Sequence, residues 1–292
     1  LIFTCIIISI DAIAQYLIGV NILGYKYNDG RISGLFGKEL ILGSYMMKFL
    51  PILIATYLLL DKNLDNKIKY LFFIAFFMIF FVIIVSGERA ALLSLILFIF
   101  LSSFIYLSFK KLIFFLVIFI SFLSIFILSN EGTKQRYFYE FKDEVFYESE
   151  KKNIYDYVPK NHSGLFQTSI NIGKNNIIFG SGVNSFRFEC SNYRPYVCNT
   201  HPHNTYLQIF SELGLVGLVF IFILFVTLFY KYLLIYTKRL KSDSPINTKT
   251  IMVIASIVSF FPIMTNGNFF NNYLSILYFI TLTFTFNVNF KK

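Results

Sequence analysis

The residues best placed to do chemistry lie at 200–217, where His201-Pro202-His203-Asn204-Thr205 runs directly into an apolar segment. Histidine is the side chain whose ordinary pKa allows proton transfer near neutral pH. Thr205 and Gln208 match a capping box, which predicts a helix start here and puts His203 just ahead of a helix N-terminus. Free backbone N–H groups and the helix dipole at such an end attract anions such as phosphate. The same positive end disfavours imidazolium, leaving His203 neutral and able to act as a general base. Pro202 pushes His201 toward an extended conformation. The pattern points to chemistry on an amphiphilic, phosphate-bearing substrate. Its alternative is a pair of interfacial histidines that hydrogen-bond their own loop. His-x-His can supply two metal ligands, but no nearby carboxylate or third histidine completes a set, so neither a metal nor a cofactor is expected.

Arginine supplies the complementary chemistry, because its fork binds phosphate oxygens in pairs. Arg31 lies in Arg31-Ile32-Ser33-Gly34-Leu35-Phe36-Gly37, and Arg89 follows Ser86-Gly87-Glu88. Together they suit a diphosphate, each charge-assisted bond contributing roughly 1.5–3 kcal/mol. Anchoring to lipid headgroups is the alternative for each alone. Glu212 falls two turns into the helix after the histidines, where a charge must face a partner. It either orients a catalytic group or pairs with a structural Lys or Arg. Gly214 and Gly217 permit close helix packing.

The elements that must hold these residues are membrane helices. Of 292 residues, 56% are hydrophobic, and the apolar runs are continuous rather than alternating, which excludes a β-barrel. Eight spans are predicted, at 1–19, 40–60, 70–86, 90–109, 112–129, 208–236, 251–265 and 273–289. The fold class is thus an all-α transmembrane bundle of transmembrane helices 1–5 (1–129), a large loop (130–207) and helices 6–8 (208–292). The chain opens on Leu1 within an apolar run, which predicts a fragment lacking its own start and further N-terminal helices.

The net charge of +10 would raise nucleic acid as a partner in a soluble protein. Here segments 61–69, 110–111, 237–250 and the C-terminal tail hold Lys62, Lys67, Lys69, Lys110, Lys111, Lys238, Arg239, Lys241, Lys249, Lys291 and Lys292. The positive-inside rule makes that side cytoplasmic, so no nucleic acid is needed to explain the charge. Arg31, Arg89, His162, His201, His203 and the Asn-rich turn 266–272 then face away from the cytoplasm.

The loop at 130–207 carries nine basic and eight acidic residues. A structureless loop of this length is unusual, so part of it folds, with an amphipathic helix at 163–172. Phe179-Gly180-Ser181-Gly182 reads as a flexible turn, or less readily as a phosphate cradle. Cys190 and Cys198 lie where a disulfide is chemically allowed, and a bridge is favoured over two thiols. Cys5 reads as a small apolar residue of the first span.

Four pieces, in order, resemble the O-antigen ligase and Wzy-type polymerase superfamily of bacterial envelope glycosyltransferases. They are Arg31-x-x-Gly34-x-Phe36, Ser86-Gly87-Glu88-Arg89-Ala90-Ala91, Ile178 to Phe186 with its Gly-Ser-Gly, and His201-Pro-His-Asn-Thr-Tyr-Leu-Gln208 with Glu212-Leu-Gly214. The resemblance implies a metal-independent, inverting transferase in the inner (cytoplasmic) membrane, working on its periplasmic face. The donor would be a glycan on undecaprenyl diphosphate. The acceptor would be lipid A–core for a ligase, or another lipid-linked glycan for a polymerase. His203 would be the catalytic base or acceptor-orienting residue, Arg31 and Arg89 the diphosphate ligands, and His201, Asn204 and Glu212 support. The family often has an arginine opening the loop helix, where this chain has His162, so His162 or Arg187 is the expected third phosphate contact. The compact His-Pro-His-Asn form and paired cysteines tilt the reading toward ligase. A transporter or flippase of a lipid-linked anionic solute is the competing class, but it would place ionisable residues near mid-membrane and show internal repeats. A non-catalytic scaffold would leave the Arg and His boxes unexplained.

Overall fold

The computed structural model describes residues 1–28, 30–142, 160–193, 198–241 and 247–286. The tail bearing Lys291 and Lys292 lies outside the described residues, as does the end of the span expected at 273–289. Apolar runs fold as helices because a helix satisfies its own backbone groups where no water is available. In chain order these are α1 (Ile2–Ile18), α2 (Leu42–Leu60), α3 (Asn66–Val85), α4 (Arg89–Tyr106), α5 (Phe109–Ser129) and α6 (Glu131–Lys134), which runs on into a π turn at Gln135–Tyr139. Then come α7 (Lys160–Asn175), α8 (Phe186–Tyr193), α9 (Thr205–Lys241), α10 (Thr248–Ser259) and α11 (Asn272–Phe286). No strand occurs among the described residues, and two isolated bridges, Val20 to Lys26 and Asn28 to Arg31, shape the loop after α1.

Five helices, α2 to α5 and α9, are long and apolar enough to cross a membrane. The other three expected spans are shorter apolar helices, α1, α10 and α11. At 1.5 Å per residue, the 12 residues of α10 reach only about 18 Å. Apolar side chains cover the outside of the long helices. On α5, Leu112 and Leu123 are buried while Phe114, Val117, Ile118, Phe122 and Ile125 are exposed. Such a face suits lipid, since exposed apolar patches of that extent are foreign to water-soluble monomers.

The chain divides into two compact units. The first comprises Leu1–Glu140, Tyr232–Ser259 and Thr281–Lys292. Within it α3 packs on α1 and α2, and α10 packs on α2 and α4. Its interior includes Met46, Leu50, Ile79, Val82, Leu95 and Phe98, and all of α10 is buried except Lys249 and Ser259. The second comprises Phe141–Lys231 and Phe260–Ile280. There the helix expected at 163–172 is part of α7, which packs on α8 through Leu165, Ile172, Phe186 and Cys190. Cys190 and Cys198 are disulfide-bonded, with Cα atoms 5.7 Å apart.

α9 is not one straight rod. Gly214 interrupts it at φ 67°, ψ −159°, and the Ile177–Ile178 carbonyls accept from the Leu215 and Val216 N–H groups. The break gives Gly214 a role other than the helix packing expected for it. An added Cβ there would sit 2.4 Å from the Ile178 carbonyl, so only glycine fits.

Candidate active site

The first unit holds the arginines. Arg31 sits on the loop between α1 and α2, and buried polar residues of α1 pin that loop. The Gln15 Oε1 accepts from the Ser33 and Gly34 N–H groups, and Asp11 Oδ1 accepts from the Ile22 N–H. The turn between α3 and α4, Ser86-Gly87-Glu88-Arg89, is the hub. Gly87 has φ 72°, and an added Cβ would meet the Gly30 carbonyl at 2.3 Å and Arg31 Cγ at 2.8 Å. Glycine here is therefore what lets the Arg31 loop lie against the turn. The Ile32 N–H donates to the Ser86 carbonyl.

Glu88 organises the same hub. Its buried carboxylate accepts from the Gly43 N–H at 2.6 Å and from the Ser44 N–H and hydroxyl. It thereby caps α2 from across the unit, while its own residue is the N-cap of α4. Burial pushes this carboxyl up in pKa, and the bonds from Ser44 and Gly43 oppose the shift.

Arg89 donates from Nε and Nη2 to the Arg136 carbonyl, at 3.3 and 3.0 Å. Arg136, in the π turn, donates from Nε to the Gly87 carbonyl at 3.1 Å. Its Nη1 also donates to Glu140 Oε2, and Arg89 Nη2 lies 3.6 Å from that same oxygen. Arg31 Nη2 donates to the Leu40 carbonyl, and its Nε is buried without a hydrogen-bond partner among the described residues. Burial lowers the Arg31 pKa, helped by the positive charges of Arg136 and Arg89, while Glu88 and Glu140 pull it back up. Three guanidinium groups thus converge. Beside them opens a cavity of about 500 Å³ lined by Tyr25, Asn28, Arg31, Ser33, Arg136 and Glu140, among others.

Arg136 is the residue that sequence reasoning missed. His162 and Arg187, the residues expected as the third phosphate contact, lie in the second unit. The available signal was a basic residue about two turns past the end of the fifth apolar run, an Arg followed four residues on by Glu140.

In the second unit the three imidazoles meet. The His201 and His203 ring centroids are 4.2 Å apart, and those of His162 and His203 are 5.1 Å apart. The absence of a nearby third histidine, expected from sequence, is thus corrected. Among the described residues no group of three or more His, Cys, Asp and Glu is placed to hold a metal ion.

His203 adopts a left-handed backbone at φ 58°, a region histidine visits more readily than most residues. Its carbonyl accepts from the Asn266 N–H. Asn199 Oδ1 accepts from the Thr200 N–H, which orients the amide so that its Nδ2 donates to His203 Nε2 at 2.8 Å. That nitrogen therefore accepts, and the ring is neutral with its proton on Nδ1. Burial, aided by the neighbouring His201 and His162, pushes the His203 pKa down to about 3. Burial likewise takes His201 to about 4, against the pull of the Asn266 backbone. His203 is therefore neutral in the folded chain, as expected from sequence, with Nε2 an acceptor.

The helix start is also built differently. Asn204, not a Thr205–Gln208 box, is the cap. Its Oδ1 accepts from the Tyr206 and Leu207 N–H groups and its Nδ2 donates to the Pro262 carbonyl. An asparagine oxygen reaches these two N–H groups better than a threonine one position later. Those donors are thus already bound. Gln208 instead clasps the Asn-rich turn, donating to Asn268 Oδ1 and accepting from the Phe269 N–H.

Among the described residues, Glu212 bonds neither a histidine nor a cation. Its carboxylate accepts from the Asn184 N–H at 2.8 Å and the Phe186 N–H at 3.3 Å. The Ser181 and Gly182 N–H groups donate to the Ser211 and Glu212 carbonyls. Gly-Ser-Gly is therefore no phosphate cradle, since its donors dock the loop onto α9. Arg187 donates to Asn184 Oδ1 on the surface.

Apolar helices with lipid-suited outer faces and clustered polar interiors define an integral membrane protein. The family model described as O-antigen ligase matches residues 74–222, just over half of the chain. The chain belongs to the O-antigen ligase family. It is thus a glycosyltransferase-like enzyme of the ligase and polymerase type, working on lipid-linked glycans. No curated protein and no solved structure matches it at a significant level.

Proposed function

We propose that the chain moves a glycan from undecaprenyl diphosphate to a lipid A–core hydroxyl, on the periplasmic face of the bacterial inner membrane. The observation that carries this reading is that Arg89 and Arg136 meet at one Glu140 oxygen, while Arg31 lines the same cavity as Arg136 and Glu140. Guanidinium groups so gathered suit the diphosphate, whose negative charge grows as it leaves. The acceptor oxygen attacks the anomeric carbon, the bond from that carbon to the phosphate oxygen breaks, and the configuration inverts. Undecaprenyl diphosphate departs as the leaving group. His203 orients the acceptor hydroxyl, with His201 and His162 beside it, and the hydroxyl proton leaves with the departing diphosphate, the stronger base. The arginines supply the charge neutralisation, so the step is assigned no metal. Eight helices cross the membrane in this reading, α1, α10 and α11 being short spans, and the loop between α5 and α9 is periplasmic.

Arg89→Ala and His203→Ala each abolish attachment of surface glycan while the protein still inserts. Normal attachment in both variants would refute the reading. Polymerase activity is the alternative within the family. A deletion strain separates the two: full-length glycan stranded on the carrier marks a ligase, and single repeat units on core mark a polymerase.

A further inference from the structure

Among the described residues Glu140 is the carboxylate that pairs with Arg89 and Arg136, and its side chain caps no helix. Glu88 is 8% exposed and bound to the start of α2. The Glu140 side chain is 26% exposed and lines the 500 Å³ cavity, so it can swing aside without unfolding anything. Its Oε2 faces both Arg89 and Arg136, as a phosphoryl oxygen would.

Resting on the diphosphate reading above, we propose that Glu140 sets the affinity threshold of the arginine centre, as an internal anion that a diphosphate displaces and a phosphodiester does not. Displacement costs the same for every entering anion. The balance then depends on how many oxygens and charges the newcomer offers. A phosphodiester headgroup brings two free oxygens and a single charge. A diphosphate ester brings more of both and spans more than one guanidinium. Membranes present phosphodiesters at high density, and three uncovered guanidiniums would be occupied by them. Glu140 keeps the centre clear, and its return helps expel the diphosphate product.

The test uses the full chain purified in phosphate-free detergent, with inorganic pyrophosphate and dimethyl phosphate as calorimetric probes. The wild type binds pyrophosphate and gives no measurable signal with dimethyl phosphate. Glu140→Gln binds pyrophosphate about tenfold tighter and brings dimethyl phosphate into the measurable range. Glu140→Asp, which keeps the charge but retracts it, falls between the two and stands in if the glutamine variant fails to fold. Unchanged or weaker pyrophosphate binding in the folded variants, with wild-type binding intact, overturns the role of Glu140 alone. No pyrophosphate binding by the wild type or any variant overturns both this role and the diphosphate reading.

Discussion

At the scale of single residues, burial decides what the histidines do. An imidazole taken out of water resists the proton, and its neighbours here are two more imidazoles. Folded His203 and His201 take up protons only near pH 3 and 4, whereas an unfolded chain takes them up near 6.5. Below pH 6.5 the unfolded state therefore binds more protons, and stability present above that pH is lost as the pH falls toward 4. The slope is at most about 1.4 kcal/mol per pH unit for each histidine. Thermal melts of the detergent-purified protein should show the midpoint dropping across that window, and His201→Gln with His203→Gln should flatten it. A double variant with the wild-type slope would place the protons elsewhere. Both histidines were legible as a motif. Their low basicity was not, because it comes first from burial in the folded unit, to which His162, about 40 residues away in sequence but adjoining in space, adds.

At the scale of elements, the turns do the positioning. Gly214 breaks α9 so that the Gly180 loop can dock, and the two glycines hold each other's backbone at closest approach. Gly214→Ala combines a left-handed φ with a 2.4 Å backbone clash and should cost about 3 kcal/mol or more. Gly19 also has a positive φ, 89°, but faces open space, so Gly19→Ala should cost only about 1 kcal/mol. Denaturation midpoints of the two variants compare the clash with the dihedral alone, and equal losses would mean that the docked loop carries no load. The helix start after the histidines was readable, but the capping residue was misplaced by one. Asn204 precedes Thr205, and which of two adjacent capping residues wins depends on where the backbone turns. Arg136 was hidden more deeply. Its partners are carbonyls of residues 87 and a carboxylate at 140, and the π turn that aims it leaves no simple spacing in the sequence.

At the scale of the whole molecule, apolar runs announced the membrane class, and length separates the runs. Thr248–Ser259 reads as a span by composition, and its helix is shorter than a 30 Å core and buried nearly throughout. Burial among α2 and α4, rather than lipid, explains its apolar character. α5 is the opposite case, apolar because it faces outward. Ile118→Lys, near the middle of α5, should cost roughly 2.5–3.5 kcal/mol of insertion and lower the alkali-resistant membrane fraction. Undiminished insertion would mean that α5 does not lie in lipid.

The arginine centre also has a history written into its chain order. A ribosome delivers Arg31, then Arg89, then Arg136, so each new guanidinium must join a patch that is already positive. Glu140 emerges four residues after the last of them, on the same short stretch as Arg136. The charge that completes the repulsion and the charge that relieves it are thus made almost together.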